Sequence, residues 1–306
     1  MSFGDGFLRF PDLFPGRRGG EPWGDRSLVL EVAGGPYLVA GLSAAQEEAA
    51  RRKFVGLCRE AETGAEVAIH VFRAPPGDFL DRDVRGWEYT LDMDYSPGSV
   101  LLAGLRLMAR IDWAPALAGG LWTSQAAGEE WASVFENFFR VLAAYRLLAA
   151  GGAMLHSAGV TDGASAWLLL GPSGTGKTTS SRLCLERGAT VLSDDLNAVW
   201  LPPGARPRLA WLPFTGDLGE RSGGPESYPL AAVLRLVQGT EDRLRPLSPA
   251  AALAGLVAAA PFVNHDPWRR EALLGTLERL ARSVPAYELV FSLGGGLWDI
   301  LKSIPT

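Results

Sequence analysis

Gly171-Pro172-Ser173-Gly174-Thr175-Gly176-Lys177-Thr178 spell G-x-x-x-x-G-K-T, and the reading of this octapeptide decides the fold. Glycine at both ends lets the backbone curl so that successive N–H groups aim inward at an anion. Lys177 adds a point charge for the outer phosphates, and Thr178 offers a hydroxyl to Mg²⁺. The flanks agree. Trp167-Leu168-Leu169-Leu170 is a short apolar run of the buried-strand kind, and Thr178 to Arg187 reads as a helix stopped by Gly188. Strand, glycine loop and helix in that order bring the positive end of a helix dipole to the loop. The phosphate-holding set is therefore Gly171, Ser173, Gly174, Thr175, Gly176, Lys177, Thr178 and Thr179. ATP and Mg²⁺ are the expected cofactors.

Working outward, the 306 residues suffice for one large domain or two modest ones, and 47% apolar content supplies a core. A net charge of −5 does not suggest a nucleic-acid partner. Lys53, Lys177 and Lys302 are the only lysines, so Lys177 is not drawn from a lysine-rich background. Cys58 and Cys184 lie far apart and form no C-x-x-C, which implies neither a disulfide framework nor a zinc site. No basic-then-apolar leader opens the sequence and no apolar run approaches spanning length, so a soluble cytoplasmic protein without a membrane partner is expected.

Three segments are expected: an irregular arm over 1–27, an α+β partner-recognition domain over 28–127, and a P-loop kinase domain over 128–306. The arm is rich in Gly and Pro. In the second segment, Leu28 to Val32 and Tyr37 to Ala40 read as a hairpin through Gly34-Gly35. Ser43 and Gln46 form a capping box for a helix running to about Glu62. Val67 to Phe72 reads as a strand. Trp87 to Tyr95 alternates, with Asp92 and Asp94 on one face, either solvated or binding a cation. Ser99 to Trp113 is apolar and of either type. An antiparallel sheet is expected here. Trp131, Phe135, Phe138, Phe139 and Leu142 recur at helical spacing, in a helix ending at Gly151-Gly152. Ala153 to Thr161 then reads as one strand. Beyond the loop unit, strands are expected at Asn197 to Trp200, Arg208 to Trp211, Leu230 to Val237 and Tyr287 to Phe291. Helices are expected near Pro249 to Ala259 and Pro267 to Arg282. The glycine-rich stretch from Thr215 to Ser227, with Arg221, Gly223 and Gly224, reads as a lid, a substrate grip or a plain surface loop.

One helix after the loop, the short strand Thr190-Val191-Leu192-Ser193 ends in Asp194-Asp195. Paired carboxylates there divide two jobs: one holds Mg²⁺ with Thr178, and the other takes a proton from an attacking hydroxyl. His156 is the one histidine near this unit, as a core histidine or as a neighbour of the pair. His70 and His265 read as structural.

The stretch from Leu155 to Trp200 resembles the catalytic core of the HPr kinase/phosphorylase family. The matching pieces are His156-Ser157-Ala158-Gly159-Val160, a second strand, the phosphate loop, its helix and the Asp-Asp strand end. The wording Ser173-Gly174-Thr175-Gly176-Lys177-Thr178-Thr179 is also similar to ATP-dependent phosphoenolpyruvate carboxykinase. In length and layout the chain is similar to HPr-kinase-like proteins of peptide-modification gene cassettes, including those of lasso peptides. The resemblance implies an α/β P-loop core, an HPr kinase/carboxykinase-like mixed sheet with flanking helices, preceded by a smaller α+β domain. It implies Asp194 as general base with His156 its neighbour, Lys177 on the phosphates, and Thr178 with Asp195 on Mg²⁺. The roles of Asp194 and Asp195 are exchangeable at this level. No stretch like the longer signature that HPr kinases carry after this core follows it, which bears on HPr as the acceptor and on reverse phosphorolysis.

Three functions are thus compared. The first is an ATP-dependent phosphotransferase that phosphorylates a hydroxyl, serine foremost, of a peptide or small protein. The second is a small-molecule phosphotransferase of carboxykinase type, which needs basic groups such as Arg221 or Arg235 for a carboxylated substrate. The third is a non-catalytic, nucleotide-gated binding protein. The oligomeric state, a homo-oligomer included, is open.

Overall fold

The computed structural model describes residues 20–61, 67–76, 79, 91–214, 216–219, 226–293 and 296–305. It contains two mixed sheets and, among the described residues, six α-helices. The chain divides into two compact units, Met1–Leu142 and Ala143–Thr306.

The first unit holds β1 (Glu21–Pro22), β2 (Arg26–Leu30), β3 (Tyr37–Leu42), β4 (Cys58–Glu60) and β5 (Val67–Arg73). It continues with β6 (Asp92–Tyr95), β7 (Ser99–Gly104), β8 (Leu107–Asp112) and β9 (Ala118–Thr123). Helix α1 (Ala44–Lys53) follows β3, and α2 (Gly128–Ala149) follows β9 and runs through the division between the units. The sheet order is β4-β2-β3-β5-β9-β8-β7-β6, with β1 on β5. It is mixed, not purely antiparallel as expected: β5 runs parallel to both β3 and β9. The sequence pattern shows which face of a strand is buried but carries no mark of its neighbour's direction.

One reading left open is resolved here and one expectation is corrected. The apolar stretch from Ser99 to Trp113 is the β7–β8 hairpin, turned at Arg106 with φ 58. Helix α1 starts at the predicted capping box, with Ser43 accepting from the Gln46 amide, but stops at Lys53. Phe54 turns its ring into a cluster with Phe135 and Phe139, Gly56 takes φ 79, and Cys58–Glu60 pairs with β2. Burial of the aromatic ring overrides helix propensity. The predicted arm lies largely outside the described residues, as do positions 87–90 of the expected strand ending at Tyr95.

The second unit is built on β10 (Gly152–His156), β11 (Ala158–Thr161), β12 (Ala166–Leu170), β13 (Thr190–Ser193) and β14 (Leu196–Trp200). The remaining strands are β15 (Arg208–Trp211), β16 (Ser227–Gln238), β17 (Arg243–Pro246) and β18 (Ala286–Phe291). Its helices are α3 (Lys177–Glu186), α4 (Pro249–Ala259), α5 (Arg270–Ser283) and α6 (Leu297–Ser303). The order is β10-β14-β15-β16-β12-β11-β13, with β18 on β16 and β17 on β18. β17 and α6 carry too little periodicity to be read from sequence. The expected single strand over 153–161 is two strands broken at Ser157. β10 pairs with β14, whereas β11 pairs with β12 and β13.

β12 is buried at every position because β11 and β16 flank it. Its core joins Trp167 and Leu169 to Cys184 of α3, Leu234, Leu289 and Phe291, and Trp298 and Leu301 of α6. The Trp167 and Trp298 rings meet edge to face at 5.3 Å. Burying such side chains contributes about 1.5–3 kcal/mol each. This packing fixes the strand and helix that hold the glycine loop.

Candidate functional site

β11 is antiparallel to β12 and to β13, so β12 and β13 point the same way with β11 between them. Three chain segments therefore reach one edge of the sheet. They are the loop after Leu170, the Asp194-Asp195 pair after Ser193, and the His156-Ser157 link that enters β11. β16 is parallel to β12 and brings Gln238 to the same edge. The cleft they enclose measures about 580 Å³ and is lined by His156, Ser173, Gly174, Gly176, Lys177, Thr178, Thr179, Asp194, Asp195, Gly216, Asp217 and Gln238.

The loop adopts a backbone that its glycines permit. Gly174 has φ 79 and Gly176 has φ 99, in the left-handed region that favours glycine. Gly176 is also the N-cap of α3, and no side chain caps that helix end. The first N–H groups of α3 thus have no intrahelical partner, at the helix end where Gly176, Lys177 and Thr178 line the cleft. Thr175 and Gly171 serve the loop internally. The Thr175 hydroxyl donates to Pro172 O at 2.7 Å, and a Cβ on Gly171 would meet it at 2.3 Å. Lys177 is only 7% exposed, and its Nζ donates to Gly171 O at 2.8 Å and Pro172 O at 3.3 Å. Burial pushes its ammonium below the ordinary lysine range, while the carboxylates of Asp195, Asp194 and Asp217 oppose that shift. Gln238 Nε2 donates to Gly174 O at 3.0 Å and ties the loop to the end of β16.

The acidic pair divides. Asp194 is buried, and its Oδ2 accepts from the Thr178 hydroxyl at 3.0 Å. Its Oδ1 accepts from the Leu218 amide at 3.4 Å. Asp195 has a different partner: its Oδ1 lies 3.4 Å from His156 Nδ1. The register explains this, since His156 ends β10 opposite Leu196, the residue after Asp195. Every residue predicted for the site thus reaches the cleft except Gly171 and Thr175, which shape its loop.

Three lining residues were not singled out from sequence. Gly216, Asp217 and Gln238 sit where the tertiary fold brings them. Asp217 Oδ2 accepts a second contact from the Thr178 hydroxyl at 3.3 Å. Gly216 lies against Asp194, where a Cβ would come within 2.2 Å of Oδ1. The only local hint was the glycine-rich stretch from Thr215. Its Arg221, Gly223 and Gly224 lie outside the described residues. Arg235 pairs with Glu288 at 2.7 Å and does not line the cleft.

The residues suit a magnesium–nucleotide pair. The uncapped helix end beside a glycine loop suits phosphate, and a hydroxyl beside carboxylates suits a hard cation. Among the described residues no three carboxylate, thiol or imidazole groups converge to hold an ion by themselves. Mg²⁺ commonly takes one or two carboxylates and completes its shell with phosphate oxygens and water. No helix among the described residues is long and apolar enough to cross a membrane.

No curated protein matches the chain. A family model described as "SynChlorMet cassette protein ScmC" matches residues 123–304. That span covers more than half of the chain and contains every residue of the cleft, so the chain belongs to the ScmC family of SynChlorMet cassette proteins.

Proposed function

We propose that this protein is an ATP-dependent phosphotransferase acting on a hydroxyl, serine foremost, of a peptide or small protein. The observation that carries the reading is the Thr178 hydroxyl. It sits in the first turn of the helix behind the glycine loop and touches Asp194, with the Asp195–His156 pair lining the same cleft. Phosphate seat, cation seat and proton acceptor then share one cleft. The cassette family supports a peptide as the acceptor, as does the resemblance to HPr-kinase-like proteins of peptide-modification cassettes.

In this reading the amides of Ser173 to Thr179 and the Lys177 ammonium hold the triphosphate. Lys177 exchanges its contacts with Gly171 O and Pro172 O for phosphate oxygens. Thr178 and Asp194, with Asp217 alongside, would hold Mg²⁺, which would supply charge neutralisation on the phosphates. Two features support the exchanged assignment of the acidic pair. Asp194 is buried on the Thr178 hydroxyl, whereas the Asp195 side chain keeps 22% exposure next to His156. Asp195 is then the base: it takes the proton as the acceptor oxygen attacks the γ-phosphorus and the bond to the β,γ-bridging oxygen breaks, releasing ADP. His156 orients that carboxylate. General-base help is typically worth about 10²–10⁴-fold.

The test is a pair of variants assayed by calorimetry with Mg-ATP and by mass spectrometry of cassette peptides. Asp195→Asn should keep nucleotide affinity and lose transfer. Asp194→Asn should lose the magnesium dependence of nucleotide binding. Wild-type protein that takes up no ATP, or an Asp195→Asn variant with undiminished transfer, would overturn the assignment. The carboxykinase-type alternative gains no support from Arg235, which is paired elsewhere.

A further inference from the structure

We propose that Asn197 is the positioning residue that sets the His156–Asp195 pair; its catalytic consequence rests on the phosphotransferase reading, its structural consequence does not. Asn197 lies on β14 and is fully buried, so it touches no substrate. Its Nδ2 donates to Ser157 O at 2.8 Å, to Ser157 Oγ at 3.1 Å and to Ser193 O at 3.3 Å. One amide therefore ties the link after His156 to the turn before Asp194-Asp195. The same two segments are joined again where Ser157 N donates to Asp195 O at 2.9 Å. Ser193 Oγ accepts from Asp195 N at 3.1 Å and closes the turn.

This tie sits at the break at Ser157. β10 ends on the pair His156–Leu196 and β11 takes up with the pair Gly159–Ser193, so Ser157 and the acidic turn lie between two ladders, where the Asn197 amide joins them. Packing alone does not call for an amide here. The Asn197 carbonyl oxygen accepts no hydrogen bond among the described residues, and an apolar side chain would fill the space without that loss. What the amide adds is its donors. Gly159 makes room for the amide group: a Cβ there would lie 2.5 Å from Asn197 Oδ1.

The experiment reads the ring nitrogens of His156 by NMR in ligand-free full-length protein, alongside ADP release from Mg-ATP with water as acceptor. The chain has three histidines, so His156→Gln assigns the signal. Asn197→Leu should move the His156 signals to those found in Asp195→Asn. Turnover should fall on the order of 10²-fold, as for an ångström-scale misplacement, with KM for ATP unchanged. Gly159→Ala presses on the same amide from outside the cleft and should reproduce both effects, which covers an Asn197→Leu variant that fails to fold. His156 signals that stay at wild-type positions in either folded variant would overturn the proposal. So would a loss of turnover matched by an equal rise in KM. A wild type that binds no ATP would sink the phosphotransferase reading, while the NMR arm would still decide the role of Asn197.

Discussion

Lys177 shows how much one residue is asked to reconcile. Its ammonium is buried, held on two loop carbonyls, and pushed below its ordinary value of 10.5 by that burial. A lysine with a depressed folded-state value binds fewer protons folded than unfolded over the interval between the two. Its charge therefore penalises the ligand-free fold at neutral pH, and the penalty fades as pH rises through the folded value toward 10.5. Lys177→Met should accordingly gain on wild type at pH 7 in melting temperature, and that gap should close as pH approaches 10.5. The same variant should bind Mg-ATP about 10–100-fold less tightly, since a hydrogen bond to a charged group is worth about 1.5–3 kcal/mol. Thermal scans across pH and calorimetry check the two halves separately. The residue types of the site were legible because G-x-x-x-x-G-K-T is a local pattern whose chemistry needs no partner to be recognised.

At the scale of elements, ends marked by local caps and glycines were legible, and ends set by distant packing were not. The capping box at Ser43 and Gln46 is local, and both of its hydrogen bonds form, at 3.2 and 3.0 Å. Ser43→Ala should cost about 1 kcal/mol, read as a lower midpoint in urea with the slope unchanged. The end of the same helix was misread because it is set by where Phe54 finds Phe135 and Phe139, about eighty residues on. The strand expected over 153–161 failed for a related reason. Its apolar pattern is continuous across Ser157, yet its two halves have different neighbours. Periodicity reports burial, and burial does not tell one strand from two.

At the scale of the molecule, the prediction concerns where a ligand is felt. Mg-ATP should slow amide exchange in 171–180, 193–196 and 216–219 of the second unit, because binding stabilises the segments that close around it. Hydrogen-exchange mass spectrometry should show β2, β3 and β5 of the first unit unchanged. Protection confined to the first sheet would contradict the placement of the nucleotide in the cleft.

The amino-acid sequence by itself determined the strand–loop–helix unit, the residues of the glycine loop and the presence of an acidic pair one helix later. Each of these is written in neighbouring residues and follows from backbone chemistry alone. Which carboxylate meets Thr178 and which meets His156 was decided by the tertiary structure, as was the entry of Asp217 and Gln238 into the cleft. Those outcomes depend on strand direction and register, with β11 antiparallel between β12 and β13, β16 parallel to β12, and His156 opposite Leu196. Hydrogen bonds between distant strands set that register, and no local pattern encodes it.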